Sequence, residues 1–181
     1  MLKKVLIGVG ILAVVLVGLL AYLNNRNRTL SPPGSAEASN QELSVSVNYS
    51  RPSVRDRLIF GPEEEDALQP YGIYWRLGAN EATEITFSTD VLFGGKMVPK
   101  GTYTLYAVPG SKSFVIGVNS SLDRWGYSEP DYDQDVAKIS VPVEKAGPTE
   151  QFTIDLVNSG NGINMLILWS EVKLTIPIVA Q

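Results

Sequence analysis

The sequence of 181 residues contains neither cysteine nor histidine. Without cysteine the chain has no disulfide framework and no thiol that could carry a lipid, so attachment to a membrane would have to come from the polypeptide itself. The two absences together exclude thiol nucleophiles, serine–histidine triads, histidine bases and ordinary zinc sites. Proton transfer is left to Asp, Glu, Lys or Tyr, and a metal site would need the oxygen ligands that calcium and magnesium prefer.

Basic charge is scarce in the body of the chain. Lys3 and Lys4 are the only charged side chains before residue 24, so the rest holds 13 of the 15 basic residues and all 19 acidic ones, a net charge of −6. An acidic chain without a stripe of basic side chains is poorly suited to bind nucleic acid, whose backbone is negatively charged. The sequence therefore predicts no nucleic-acid partner, and it indicates no cofactor.

What the sequence does have is one long apolar run over residues 5–23, with no charge and with thirteen Val, Ile or Leu residues. As a helix this run is about 28 Å long, close to the ~30 Å hydrocarbon thickness of a bilayer. We predict an uncleaved single-pass anchor over residues 1–23. A cleavable secretory signal is the alternative, although its apolar region is normally shorter and ends in a small-x-small site.

The charges flanking the run weakly favour a cytoplasmic N-terminus, which would place the C-terminal domain in the periplasm or outside the cell.

The remainder divides into a linker and one domain. Residues 24–42 are polar and include two prolines and a glycine, which predicts a flexible linker. From residue 43 apolar and polar residues alternate with period two, and turn signals recur at short intervals. This pattern predicts an all-β domain over residues 43–181, an antiparallel β-sandwich or jelly roll. We expect strands at 43–49, 57–60, 73–77, 83–88, 90–93, 96–98, 102–108, 113–119, 136–143, 151–157, 164–169 and 172–179.

The least generic stretch is residues 70–83, which places aromatic, basic, amide and acidic side chains around a turn that contains glycine. In one interpretation Arg76, Asn80 and Glu81 converge on a polar ligand and Trp75 supplies a flat apolar face, as in a sugar or peptide site. In the structural alternative Arg76 pairs with Glu81, Asn80 adopts the left-handed backbone conformation and Trp75 belongs to the core.

Two further features are candidates for binding. Trp125 lies in a loop after the strand expected at 113–119, and exposed loop aromatics often bind carbohydrate rings. Asp131, Asp133 and Asp135 have the alternate spacing that opens a calcium loop, but the glycine and the bidentate glutamate of such a loop are missing. We therefore predict no metal site and keep these three carboxylates as a weak alternative.

The order of several motifs resembles the family known as domain of unknown function 2911, over roughly residues 45–178. The motifs that carry the resemblance are Pro70-Tyr71-Gly72, Trp75-Arg76, Gly78-Ala79-Asn80-Glu81-Ala82-Thr83, Gly101-Thr102-Tyr103, Trp125-Gly126 and Trp169. The resemblance implies an exported bacterial β-sandwich whose activity is unassigned. It directs attention to Arg76, Asn80 and Glu81 as the positions where a family site would lie.

Two functions remain open from the sequence. The leading hypothesis is a non-catalytic binding or structural module of the cell envelope that recognises a glycan, a peptide or a partner protein. The alternative is a hydrolase that uses two carboxylates, Glu81 and either Asp131 or Asp135. That alternative requires the two carboxyl groups to face one cleft at about 5 to 10 Å.

Overall fold

The computed structural model describes residues 2–122 and 124–181 of the chain. Met1, the first residue of the predicted anchor, lies outside them. The chain begins with helix α1 (Leu2–Leu30), whose side chains are almost all exposed. By length and composition α1 is able to cross a membrane, and the same properties fit a membrane anchor and a signal sequence alike.

Twelve strands follow in the described residues. They are β1 (Pro33–Asn40), β2 (Leu43–Ser50), β3 (Phe60–Gly61), β4 (Gln69–Pro70), β5 (Thr83–Phe87), β6 (Val91–Phe93), β7 (Lys96–Val98), β8 (Gly101–Val108), β9 (Ser113–Asn119), β10 (Asp135–Pro142), β11 (Glu144–Ser159) and β12 (Gly162–Ala180). Two 3₁₀ turns interrupt the connections, at Glu63–Glu65 and Tyr132–Gln134. The acidic segment that contains Glu63–Glu65 is thus a single short turn.

The strands form two antiparallel sheets that face each other. The large sheet has the order β1-β2-β5-β8-β9-β10, and the smaller one has the order β11-β12-β6-β7. A short parallel pair, β3 with β4, lies apart from them. The predicted all-β antiparallel sandwich is confirmed.

One apolar core lies between the two sheets. Alternate residues of β2 and β5, such as Val45, Val47 and Ile85, point into it and are almost completely buried. Side chains of the opposite sheet, including Ile167 and Ile176 of β12, complete it. The period-two alternation in the sequence therefore marks the faces of the sheets correctly.

The region between α1 and β2 differs from the flexible linker predicted for residues 24–42. The helix continues to Leu30, and all eight residues of β1 pair with β2, from Pro33 opposite Ser50 to Asn40 opposite Leu43. Strand β1 has few apolar residues because it is an edge strand, and its main-chain hydrogen bonds do not depend on side-chain type. Only two residues, Ser31 and Pro32, separate the helix from the sheet.

Other strand boundaries also differ from the predictions. Residues 73–77 form no ladder and make one bridge, Trp75 with Ala107. The strands expected at 164–169 and 172–179 are one strand, β12, with Ser170 at φ +53. By contrast, β6 and β7 match the strands expected at 90–93 and 96–98, and a two-residue hairpin joins them, with Gly94 and Gly95 at φ +54 and +84 as a primed turn requires.

Candidate functional site

The turn from residue 75 to residue 80 starts in the core and ends at the surface. Trp75 is 2% exposed, and its Nε1 donates to the carbonyl of Gly78 at 3.2 Å. Leu77, Gly78 and Asn80 all have φ in the left-handed region, which is unfavourable for leucine. The hydroxyl of Thr83 donates to the carbonyl of Leu77 at 2.6 Å. These bonds hold the turn in one conformation despite its strain.

Trp75 belongs to an aromatic cluster in the core. Its ring stacks on that of Trp169, with centroids 5.6 Å apart, and meets Phe60 and Phe152 edge-on. The structural alternative is therefore correct for Trp75. The prediction that Trp75 binds a ligand was wrong, because other core side chains cover the faces of its ring.

The end of the turn pairs with the loop that carries Trp125. Main-chain hydrogen bonds of 3.3 and 3.0 Å join residues 80–82 to residues 124–126, and Glu81 stands directly opposite Trp125 in an antiparallel bridge. Side chains that are opposite one another in such a bridge project to the same side. The fold therefore brings together two predicted site residues that are 44 positions apart in the sequence.

Glu81 and Trp125 open onto a cleft of about 500 Å³, which we call the glutamate cleft. It is lined by Arg28, Pro33, Gly34, Asn48, Tyr49, Ser50, Glu81, Ala82, Glu84, Arg124 and Trp125. Arg28 of α1 reaches across, and its Nη2 lies 2.5 Å from Glu81 Oε1 in an ion pair whose side chains are about half exposed. Trp125 is 48% exposed. This cleft combines carboxylates, guanidinium groups and an exposed ring at the junction of helix and domain.

The outward face of the large sheet carries a row of polar residues, one on each strand. In register across the sheet they are Ser35, Asn48, Glu84, Thr104, Asn119 and Asp135. Asn48 and Glu84 line the glutamate cleft, whereas Thr104 and Asn119 are fully buried under the loop of residues 120–134. Sequence reasoning missed this row, because alternation shows which residues face outward but not which of them are neighbours on adjacent strands.

Asp131 and Asp135 hold the covering loop in place. Asp131 accepts hydrogen bonds from the main-chain N–H of Asp133 and from Gln134 at the start of the second 3₁₀ turn. Asp135 accepts from Asn119 and from the hydroxyl of Tyr106 at 2.8 and 2.7 Å. Among the residues that the structure describes, neither of these aspartates lines the cleft that holds Glu81, so the predicted hydrolase pair is not assembled.

The alternate carboxylates 131, 133 and 135 do not converge either. The described residues include no group of three acidic side chains placed to hold a metal ion. Each carboxylate instead has its own protein partner or faces solvent. The alternation reflects a capped turn that leads into β10.

Two tyrosines at this loop have raised pKa values: Tyr106 lies beneath the loop, and Tyr132 belongs to it. Burial raises the pKa of Tyr106, and the hydrogen bond to Asp135 raises it further. Burial likewise raises the pKa of Tyr132, with a contribution from its hydrogen bond to Glu129. Both phenols stay protonated over the ordinary pH range and act as donors that fasten the loop bearing Trp125.

Arg76 and Asn80 lie on the other side of Trp125, in a second cleft of about 410 Å³ that we call the arginine cleft. It is lined by Asn27, Leu30, Ser31, Pro52, Ser53, Arg55, Arg57, Leu68, Gln69, Arg76, Gly78, Ala79, Asn80, Trp125 and Trp169. Arg76 Nη1 donates to the carbonyl of Asn80 at 3.4 Å, and its guanidinium lies 5.5 Å from the ring centroid of Tyr127. Burial lowers the pKa of Arg76.

The structural alternative was correct for Asn80 but not for the ion pair. Asn80 adopts the left-handed conformation, with φ +59, and its amide donates to the carbonyl of Ser31 at 3.2 Å. Glu81 pairs with Arg28 and not with Arg76. Sequence reasoning did not find Arg28 because it assigned residues 24–42 to a linker, where no fixed contact is expected.

The structure defines a class of protein: an antiparallel β-sandwich joined almost directly to one apolar N-terminal helix, with two clefts at the junction. The chain belongs to the family described as protein of unknown function DUF2911, whose model matches residues 31–178. The match begins between α1 and β1, so the domain walls of both clefts lie inside it and the helix residues Asn27, Arg28 and Leu30 lie outside. Searches among curated proteins and among solved structures gave no match.

Proposed function

We propose that the chain is a membrane-anchored, non-catalytic binding module of the bacterial cell envelope, and that its ligand is a glycan bound in the glutamate cleft. The observation that carries this proposal is the half-exposed ring of Trp125 fixed opposite Glu81, in a cleft that also holds Asn48 and Glu84. Sugars present apolar C–H faces that pack on aromatic rings, and hydroxyl groups that bond to planar carboxylates and amides. The cleft offers both kinds of contact.

The helix supports the anchor in preference to a cleaved signal. Arg28 and Leu30 at its end contact the domain, the first through Glu81 and the second through a hydrogen bond of 3.0 Å from Arg55. Cleavage after the apolar run would keep these residues but separate them from the rest of the helix, which holds them against one side of each cleft. With the anchor in place, the proposal puts the domain at the outer surface of the membrane that holds it.

Tryptophan fluorescence of the full chain in detergent, titrated with envelope oligosaccharides, tests the glycan proposal. The chain has three tryptophans, and Trp75 and Trp169 are buried, so Trp125 is the one exposed to a ligand. We expect an oligosaccharide to shift the emission. Glu81→Gln should weaken binding by about tenfold, which corresponds to about 1.4 kcal/mol. Trp125→Ala removes the fluorescent reporter, so its binding is followed by titration calorimetry, where we expect a similar loss.

Tyr71→Ala is the matched control, because Tyr71 is an exposed aromatic that lines neither cleft. This variant should bind as the wild-type chain does. If no oligosaccharide binds while a peptide or a partner protein protects Trp125, the ligand class is wrong. Binding that survives both cleft substitutions would place the site elsewhere.

A hydrolase remains a second candidate because Glu81 and Glu84 line the same cleft. Against it, the carboxylate of Glu81 is engaged in an ion pair with Arg28 and is not free to face a glycosidic bond. Analysis of the oligosaccharide after prolonged incubation distinguishes the two. An intact ligand supports a binding module, and a shortened ligand whose formation Glu84→Gln abolishes would support the enzyme.

A further inference from the structure

The arginine cleft has a composition opposite to that of the domain around it. Three of its lining residues are Arg55, Arg57 and Arg76, and none of the described residues that line it is acidic. The chain after residue 23 nevertheless has a net charge of −6. A local excess of three positive charges in an acidic domain calls for a ligand of opposite charge.

The three guanidinium groups are held by neutral carbonyls. Arg57 donates to the carbonyls of Val54 and Ser53 at 3.0 and 2.6 Å, and Arg55 donates to that of Leu30 at 3.0 Å. Within the described parts of the chain, no carboxylate forms an ion pair with Arg55, Arg57 or Arg76. Each arginine is therefore oriented by the main chain and forms no ion pair, although the carboxylate of Glu150 accepts a hydrogen bond of 3.1 Å from the main-chain N–H of Arg55.

Other donors at this cleft also lack acceptors. Trp169 borders it, and its buried Nε1 has no hydrogen-bond partner among the described residues. Arg76 uses one nitrogen for the carbonyl of Asn80, at the long distance of 3.4 Å. A guanidinium carries five N–H donors and no acceptor, so the cleft has a surplus of donors that an anion with several oxygens would satisfy.

The position of the cleft indicates where such an anion comes from. Asn27 and Leu30 of α1 line it, four and seven residues beyond the apolar run that ends at residue 23. At about 1.5 Å per residue these positions lie roughly 6 and 10 Å past the hydrocarbon core. Each headgroup layer of a bilayer is about 5 to 8 Å thick, so the cleft opens at its outer boundary.

We propose that the arginine cleft binds a phosphate ester, presented by a lipid headgroup or by a soluble molecule. A phosphate ester offers a full negative charge on its non-bridging oxygens, three in a monoester and two in a diester, to the guanidinium groups that line the cleft. The lipid source rests on the proposed anchor, because only an anchored helix holds the cleft at headgroup height. The phosphate chemistry itself does not depend on the anchor.

Two arms of one experiment separate the sources. In the first, the full chain in a polyoxyethylene detergent, free of phosphate and sugar, is titrated with glycerol 3-phosphate and its thermal midpoint is followed. In the second, the chain is reconstituted in nanodiscs of a phosphate-free betaine lipid, with and without phosphatidylglycerol. A ligand near 100 times its dissociation constant should raise the midpoint by several degrees in either arm.

Arg76→Gln should weaken binding at least tenfold in the arm that shows a shift. Arg57→Gln should do the same, and because Arg57 is exposed this variant is expected to fold even if Arg76→Gln does not. Arg26→Gln is the matched control: it removes the same charge at a similar height above the apolar run, from a residue that does not line the cleft. We expect Arg26→Gln to change the affinity less than twofold.

The outcomes bear on the two proposals separately. A shift with glycerol 3-phosphate alone supports the phosphate site and argues against the anchor at headgroup height. A shift with phosphatidylglycerol that Arg76→Gln abolishes supports both. No shift in either arm, or an equal loss in Arg26→Gln, overturns the phosphate site and leaves the glycan proposal for the other cleft untouched.

Discussion

Gly117 of β9 stands directly opposite Tyr106 of β8, and the tyrosine ring occupies the space that a Cβ atom at position 117 would need. Gly117→Ala must displace this ring and disturb its hydrogen bond to Asp135. We expect the free energy of unfolding to fall by about 1–3 kcal/mol, the usual cost of overpacking a filled site. Urea unfolding of the full chain in detergent measures this change.

Gly147→Ala serves as the control for that substitution. Gly147 lies in β11, and a Cβ atom built there meets nothing within 4 Å. Its effect should stay within about 0.5 kcal/mol, as for other surface changes. If the two alanine variants are equally stable, Tyr106 is not fixed in the way that its contacts indicate.

Tyr106 and Tyr132 also make stability depend on alkaline pH. Their pKa values in the folded protein lie above the ordinary value of 10.0, so the folded state keeps protons that the unfolded state releases. Their contribution to stability is therefore complete below about pH 10 and is lost as the pH rises from there toward the folded pKa values. We expect Tyr106→Phe to be less stable at neutral pH and to lose stability less steeply above pH 10.

Spectrophotometric titration of tyrosine checks this prediction independently. Tyr106 and Tyr132 should ionise only when the domain unfolds, so their share of the absorbance change should coincide with the unfolding transition. Simultaneous ionisation of all tyrosines near pH 10 in a folded chain would contradict it.

Among the elements, β1 connects α1 to the sandwich. It completes the large sheet with eight paired residues, and its Ala36 and Ala38 pack against the core. A chain truncated to begin at residue 32 keeps this strand, whereas one that begins at residue 42 loses it and leaves β2 as a bare edge. We expect the shorter chain to melt at a lower temperature and to aggregate, because an unprotected edge recruits further strands.

Thermal unfolding and light scattering of the two truncated chains measure this difference. Similar behaviour of both chains would mean that residues 32–41 act as the flexible linker that the sequence predicts. A large difference would show that the folded unit begins before residue 43.

The elements also show how far sequence reasoning reaches. Alternation identifies strands such as β2 and β5, because one buried face imposes period two on the residues. It does not identify β1, whose stability comes from main-chain pairing, nor the turn at residues 77–80, where Thr83 and Trp75 hold a leucine in a strained conformation.

The candidate site was predicted only in part, for a related reason. Glu81 and Trp125 were each recognisable from local composition, but their bridge depends on the packing of a loop 44 residues away. Arg28, Arg55 and Arg57 were not recognised, and Arg76 was grouped with Glu81 although the two line different clefts, because each cleft joins segments that are distant in sequence. Local sequence patterns show which residues could take part in a binding site. The tertiary fold decides which of them come into contact.

At the scale of the whole molecule, if α1 is the membrane anchor that we propose, the short junction between α1 and β1 fixes the height of both clefts above the membrane. An insertion of eleven helix-forming residues between Asn24 and Asn25 would lengthen α1 by about 16 Å. Eleven residues make about three whole turns at 3.6 residues per turn. The lengthened helix would therefore present nearly the same face to the domain. This variant should lose the stabilisation by phosphatidylglycerol in nanodiscs, because the arginine cleft then stands beyond the headgroups.

In detergent the same variant should respond to glycerol 3-phosphate as the wild-type chain does, which shows that the cleft itself is intact. An insertion of the same length in the exposed β11–β12 turn, at Gly160, is the control for added chain, since it leaves α1 and both clefts unchanged. If the lengthened helix still gains stability from phosphatidylglycerol, the domain must reach the surface by tilting. The height of the arginine cleft would then depend on the tilt of the domain relative to the membrane and not on the length of α1.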